Sequence, residues 1–419
     1  MVNNNKHEVK VGFKQILSRD FYTWSFALML LIPSFNYFIN DIIQLYLGWR
    51  GVSLYFYGIL SLLSVMTYIR VIKDFGKSKL FVLWAAVSAA AIFSYMNYPQ
   101  IHDFFFAPGM DPLKSWFIYA PLFLIPMTIV SSRCVNWGLI LRVLFPVSIV
   151  TIITGLLSYY LVVFQAGLFF EVNYMSYSYN MLLPYCCTLA YATKYDDIKG
   201  YAVSIMAFFA ILLVGSRGAA AWAVLFLFMM IYERFKAKRH LIVGILLSVV
   251  LVMVAFSQFS SFSKDASSFL NSHDAGSRVL AKIEEGEFMT SEGRDKIDVV
   301  LTDAIWDNLF IGSGLFADRY YLKKNGMTGY AHNIVRELWC DFGVIFGSVI
   351  LIVIIVGVFR LYKIRDIDFH RVFLILLPNG FFKLIISDSF LICLEFWAII
   401  GLMFNSYSRC RIKKHDITK

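Results

Sequence analysis

Residues 328–347 read "TGYAHNIVRELWCDFGVIFG" and run on without a break into "SVILIVIIVGV" at 348–358. From Ile334 onward this is an apolar run of about 25 residues, enough to cross a bilayer core of about 30 Å as a helix. A membrane strand would alternate over roughly ten residues, and this run does not. A histidine and an asparagine stand at its mouth. The same kind of run recurs along the chain, which predicts an all-α polytopic membrane protein. Candidate spans fall at approximately 20–40, 52–72, 80–97, 115–131, 138–163, 175–193, 201–215, 218–232, 241–258, 334–358, 371–387 and 389–407, about 12 in all. The connections near 215–218 and 387–389 are nearly absent.

Composition agrees. Of the 419 residues 59% are hydrophobic and only 16% are charged, where a soluble domain averages about a quarter charged. The net charge of +10 needs no nucleic-acid partner, because basic residues gather on cytoplasmic loops of membrane proteins. With the N-terminus inside, Lys6, Lys10, Lys14 and Arg19 face the cytoplasm, as do the basic stretches around 70–79, 194–199, 234–239, 360–371 and 409–419. The short outside segments carry only Arg50, Lys114 and Arg217. Both termini are thus expected in the cytoplasm. The first apolar run lacks a small-residue cleavage site and reads as an uncleaved helix. The six cysteines show neither CxxC nor CxxH spacing, which argues against a zinc site or a disulfide framework.

One outside segment is long. The chain divides into spans one to nine over 1–258, a large loop over 259–333, and spans ten to twelve with a cytoplasmic tail over 334–419. The loop opens with a Ser-rich stretch. It then carries "SEGRDKIDVVLTDAIWDNLF", in which Ile297, Val300, Leu301, Ala304 and Ile305 recur at helical spacing. That predicts an amphipathic helix against the bundle or the membrane surface. "IGSG" supplies turn residues after it.

The polar residues on this side are the candidate site. Arg217, in "LLVGSRGAAAW", sits between two apolar runs, where a charge is costly unless paired, hydrated or interfacial. Ser216 suits an N-cap of the next helix. Free helix-start amides beside a guanidinium can hold a phosphate. The alternative is a snorkelling arginine that marks a helix end. Arg278 and Arg294 lie in the loop, each alone readable as a solvated residue. Arg294 opens the amphipathic helix, which fixes its direction. His332 is anchored at a helix mouth, where a neutral imidazole can accept a proton from a hydroxyl. Asn333 can orient it or bind a sugar hydroxyl. The alternative for His332 is an interfacial polar cap on the helix. Asp388 is interfacial, with no assigned role. "RDID" at 365–368 resembles a metal-binding Asp-x-Asp pair but reads as a solvated loop. There is no P-loop, GxGxxG or GxSxG element.

"GSRG" between two helices, "GRDKIDVVLTDAIWDNLFIGSGLF" in the loop and "YAHNIVRELWCDFGVIFG" after it together resemble the O-antigen ligase and Wzy-type O-antigen polymerase superfamily of bacterial surface polysaccharide assembly. The resemblance is strong over roughly 200–350 and architectural elsewhere. Leu309 stands where that family usually has proline. The resemblance implies a membrane glycosyltransferase of the bacterial inner membrane. Its donor is a glycan on undecaprenyl diphosphate and its acceptor is lipid A–core or another lipid-linked glycan. Arg217 and Arg294 are implied to neutralise the leaving diphosphate, with Ser216, Arg278 and Asn333 as further substrate-binding candidates. His332 is implied to take the acceptor proton in an inverting transfer, with no cofactor and no metal. The reading leans to ligase over polymerase. A lipid-glycan flippase is the competing class, but it leads one to expect symmetric halves and midplane charges, and no repeat is visible.

Overall fold

The computed structural model describes residues 20–49, 51–75, 79–106, 115–134, 136–162, 174–214, 216–235 and 292–417. Among these the regular structure is helical and no strand occurs. In chain order the principal helices are α1 Phe21–Leu47, α2 Val52–Phe75, α3 Lys79–Asn97, α4 Trp116–Arg133, α5 Trp137–Tyr160, α6 Tyr174–Tyr195, α7 Ile198–Val214, α8 Arg217–Phe235, α9 Glu292–Asp307, α10 Ala317–Lys324, α11 Ile334–Tyr362, α12 Ile367–Ile386 and α13 Leu394–Ile417. Eight helices among the described residues are long and apolar enough to cross a membrane, and stretches of α7 and α13 are shorter apolar helices. The expected all-α polytopic architecture is therefore present. The expected span at 241–258, the loop up to 291 and Arg278 lie outside the described residues.

Helix α6 is central and packs on α5, α7, α8 and α1, while α13 lies along α4. Outward-facing apolar residues such as Leu62, Ile69, Ile72 and Val353 remain exposed, as lipid-facing surfaces require, because hydrocarbon is as good an environment for them as the core. Two of the proline-bearing spans widen at the proline to π-turns, Ala120–Leu124 with Pro121 and Leu377–Phe382 with Pro378. Proline removes a donor and crowds the preceding turn, and the wider turn relieves both.

Some boundaries differ from the sequence reading. The chain passes from α7 to α8 with almost no connection, as expected. The last helix, however, begins at Leu394 rather than near 389, and residues 387–393 form a turn segment that opens with Ser387, Asp388 and Ser389. "RDID" is not a free loop. Asp366 caps α12, accepting from Phe369 N at 2.9 Å, and Asp368 pairs with Lys194 of α6. The five described cysteines, Cys134, Cys186, Cys187, Cys340 and Cys393, are buried, and none of them is in a disulfide.

The amphipathic helix forms where its spacing placed it. In α9 the side chains of Leu301, Ala304 and Ile305 are buried, and Ile297 and Val300 pack beside them. They meet Ala317 and Leu322 of α10, Ala331, and Cys340 of α11, which makes a second small core. A fully buried leucine such as Leu301 contributes about 1.5–3 kcal/mol. Asp298 of α9 also forms an ion pair with Arg336 of α11.

Helix α11 is broken at Gly343, whose φ of 77° and ψ of 166° are not helical. The break leaves main-chain groups without helical partners. The "IGSG" turn supplies them: Ser313 N donates to Cys340 O at 2.8 Å, Gly314 N to Asp341 O at 3.1 Å, and Val344 N to Leu309 O at 2.7 Å. The fit admits no β-carbon on either side. One at Gly343 would stand 2.5 Å from Phe310 O, and one at Gly312 (φ 75°) would stand 2.6 Å from Asp341 O. Glycine alone takes such φ values without strain. Gly343→Ala is expected to destabilise the protein by about 1–3 kcal/mol through backbone strain and to loosen α9 from α11. A lowered thermal unfolding midpoint of the purified variant checks this.

Candidate active site

The start of α8 is built by its cap. Ser216 is buried, and its Oγ accepts from Ala219 N at 3.4 Å while its carbonyl accepts from Ala220 N at 2.9 Å. Its own N–H donates to Ser178 Oγ of α6 at 3.3 Å. The N-cap expected from the sequence is present, and the Ser216 hydroxyl is engaged in it. Arg217 is thereby held at the first helical position, half-buried. Gly218 lies against the Tyr179 hydroxyl of α6, in the space a β-carbon would occupy.

His332 is positioned from the other side. Its backbone is left-handed, with φ of 52°, an uncommon state for a residue other than glycine. The next residue, Asn333, caps α11: its Oδ1 accepts from Val335 N at 2.9 Å. That oxygen is committed to the helix, and the amide Nδ2 is the group left for a substrate. The Tyr330 ring lies 4.2 Å from the imidazole, and the Tyr330 hydroxyl donates to Ser387 O at 2.6 Å. His332 Nδ1 is buried and makes no hydrogen bond.

Arg294, in the first turn of α9, acts on the same imidazole. Burial depresses the basicity of His332, and the Arg294 charge depresses it further. Asp388, Asp318 and the main chain of Ser387 oppose this, and the net direction is below the ordinary histidine value. His332 is therefore neutral at physiological pH, the form that accepts a proton. The Arg294 charge is also felt at Tyr179, which touches Gly218. The Arg294 charge thus reaches both His332 and Tyr179, and Tyr179 lies against Gly218, the neighbour of Arg217. Lys383 of α12 completes the floor, paired with Asp388 at 2.7 Å and set 5.1 Å over the Tyr179 ring.

A buried ionic cluster supports this arrangement. Arg319 of α10 donates to Asp318 Oδ1 and to Ser389 Oγ, each at 3.0 Å, and its Nη1 lies 3.5 Å from Glu337 Oε1. Ser389 Oγ donates in turn to Glu337, and Phe390 N donates to Glu337 Oε2 at 3.2 Å. Asp318 Oδ2 accepts from Ala331 N at 2.7 Å, next to His332. Burial alone would weaken the Arg319 cation, but Asp318, Glu337 and Asp341 outweigh it and hold the guanidinium charged. This cluster ties the His332 turn, the first turn of α11 and the 387–390 segment into one unit. Sequence reading passed over Arg319, Asp318, Glu337 and Lys383. The usable signal was the acid Glu337 at the start of an apolar span and the lysine inside another, since such charges require partners.

Fold and site together define a polytopic all-helical membrane protein with a polar site at the mouths of α8 and α11. Residues 202–352 match the family model described as O-antigen ligase. The match spans the "GSRG" start of α8, the helix of Arg294 and the His332 mouth, and over these residues the chain is similar to that family. That similarity supports a ligase- or polymerase-type function in general terms. No curated protein and no solved structure matches the chain.

Proposed function

We propose that this protein is an O-antigen ligase that moves glycan from undecaprenyl diphosphate to lipid A–core at the periplasmic face of the bacterial inner membrane. The observation that carries the mechanism is the electrostatic coupling of Arg294 to a half-buried, neutral His332 and to Tyr179, which lies against Gly218 next to Arg217. The acceptor hydroxyl attacks the anomeric carbon, and His332 takes its proton. The carbon–oxygen bond to the diphosphate breaks in the same displacement, with inversion, and undecaprenyl diphosphate leaves. Negative charge grows on the leaving oxygen, where Arg217 and Arg294 stabilise it. These two arginines take the place a metal occupies in other transferases. Asn333 offers an amide donor to the substrate, and Ser216 acts through the helix start it caps. Arg278 is proposed on the family pattern alone.

The test is complementation of a deletion strain, read on a gel of surface lipopolysaccharide. Wild type restores long O-antigen on lipid A–core. His332→Ala, Arg217→Ala and Arg294→Ala at matched levels leave bare core while polymer accumulates on undecaprenyl diphosphate. Core carrying one repeat unit would instead assign the polymerase reaction. Unchanged ladders in all three variants would refute the site.

The proton balance gives a second test. His332 is depressed, so its base form persists below the usual value of about 6.5. Transfer should fall off only as pH drops through this lowered value. Arg294→Gln removes one depressing charge, so the acid limb of the residual activity should move to higher pH. A pH–rate profile of the two proteins checks the direction of that shift.

A further inference from the structure

We propose that the membrane boundary on the His332 side lies at the Gly343 break, and that Trp306, Phe310 and Ile311 dock into the bilayer interface there. The proposal concerns a lipid-binding surface and stands independently of the transferase reading.

The charge distribution in α11 locates the boundary. Arg336, Glu337 and Asp341 all precede Gly343, and between Val344 and Phe359 there is no charged residue. Val344–Tyr362 is a continuous helix of about 19 residues, roughly 28 Å at 1.5 Å per residue, which matches the bilayer core of about 30 Å. The part before the break is a separate short helix with ionic partners above the core. Its outward neighbours after the break, Ile345, Phe346, Val349 and Val353, are exposed apolar residues of the lipid-facing surface.

The turn after α9 meets α11 at the level of the break. Val344 N donates to Leu309 O, and Gly343 packs on the backbone of Phe310 and Ile311. Trp306, Phe310 and Ile311 are 67%, 69% and 67% exposed. They extend the exposed apolar strip of α11 onto the loop. Asp295 and Lys296 occupy the opposite end of α9, and Asp303 and Asp307 are exposed near Trp306. A surface that grades from charged to aromatic fits the headgroup boundary, where tryptophan concentrates, rather than the hydrocarbon centre. A protein partner at this spot would not require continuity with a lipid-facing helix.

The consequence is positional. The His332 turn stands about nine to eleven residues ahead of the break, roughly 14–16 Å along the helix path. The interfacial turn fixes the height of α9, and with it Arg294, relative to the lipid headgroups.

Spin labels test this in the full-length protein in vesicles of phosphatidylethanolamine and phosphatidylglycerol. Labels enter at Phe310→Cys, Ile311→Cys and Trp306→Cys, with Lys296→Cys as the aqueous reference and Val353→Cys as the lipid reference. Signal from the unsubstituted protein is subtracted. Collision with oxygen relative to a water-soluble nickel chelate should be several-fold higher at 310 and 311 than at 296, in the direction of 353. Position 306 should fall between. Ratios at 310 and 311 equal to that at 296 would place the turn in water and overturn the proposal. Low collision with both reagents would show cover by protein, a second copy included, and would overturn it equally. The three positions are exposed, so at least one label should be carried without loss of fold.

Discussion

His332→Ala is expected to lower glycan transfer by about 10²–10⁴-fold, the usual contribution of a positioned general base. His332→Asn should lose as much. Asparagine tolerates the left-handed backbone that His332 adopts, so the comparison separates loss of the base from loss of the turn. Neither change should alter the level of protein in the membrane. The imidazole is half-buried and its Nδ1 makes no hydrogen bond, so removing it costs at most its contacts with the Ser387 main chain and the Tyr330 ring. Initial rates with purified protein, at equal amounts judged by blotting, measure the effect. A variant that retains most of its rate would remove His332 from the chemistry.

The second large effect is on stability. Arg319 is 2% exposed and stands among the carboxylates of Asp318, Glu337 and Asp341, all buried. Taking away one member of a buried ionic group leaves uncompensated charge, at a cost of about 3–5 kcal/mol. Arg319→Leu should therefore lower the thermal unfolding midpoint strongly. It should also reduce transfer in whatever protein folds, because Asp318 holds Ala331 and Ser389 adjoins Asp388. Arg319→Met combined with Glu337→Met replaces both partners with apolar side chains of similar length and should recover part of the stability. An unchanged midpoint in Arg319→Leu would show that the cluster is not what fixes the turn.

The sequence carried the spans because each is a long apolar run bounded by charge. It also carried α9, whose Ile297, Leu301 and Ile305 stripe faces the second core, and the Ser216 cap. Boundaries without a charge or turn signal were less legible. The start of α13 was placed too early because Phe390, Leu391 and Ile392 continue the apolar run of α12, while the backbone there is a turn held by Ser389. The break in α11 is invisible to composition, since Gly343 sits in an otherwise continuous helix-forming stretch. It becomes necessary only when the "IGSG" turn docks against it.

At the site, Arg294 and His332 were readable as types in a pattern, and their coupling followed from the fold. The Asp318–Arg319 pair carries no local signal in "FADRYYLKK", because nothing local shows that α10 is covered by Glu337 and Ser389. Those partners are distant in sequence. Asn333 shows the reverse. Its position beside the histidine suggested a substrate contact, and its side-chain oxygen serves the helix it begins.

The most direct measurement is transfer by the purified protein in detergent. It is supplied with a glycan on undecaprenyl diphosphate and with lipid A–core, with a chelator present and no ion gradient. The account predicts glycosylated lipid A–core and released undecaprenyl diphosphate with the wild type, and neither above background with His332→Asn. Wild-type protein that forms no product, or His332→Asn protein that forms as much as the wild type, would contradict it.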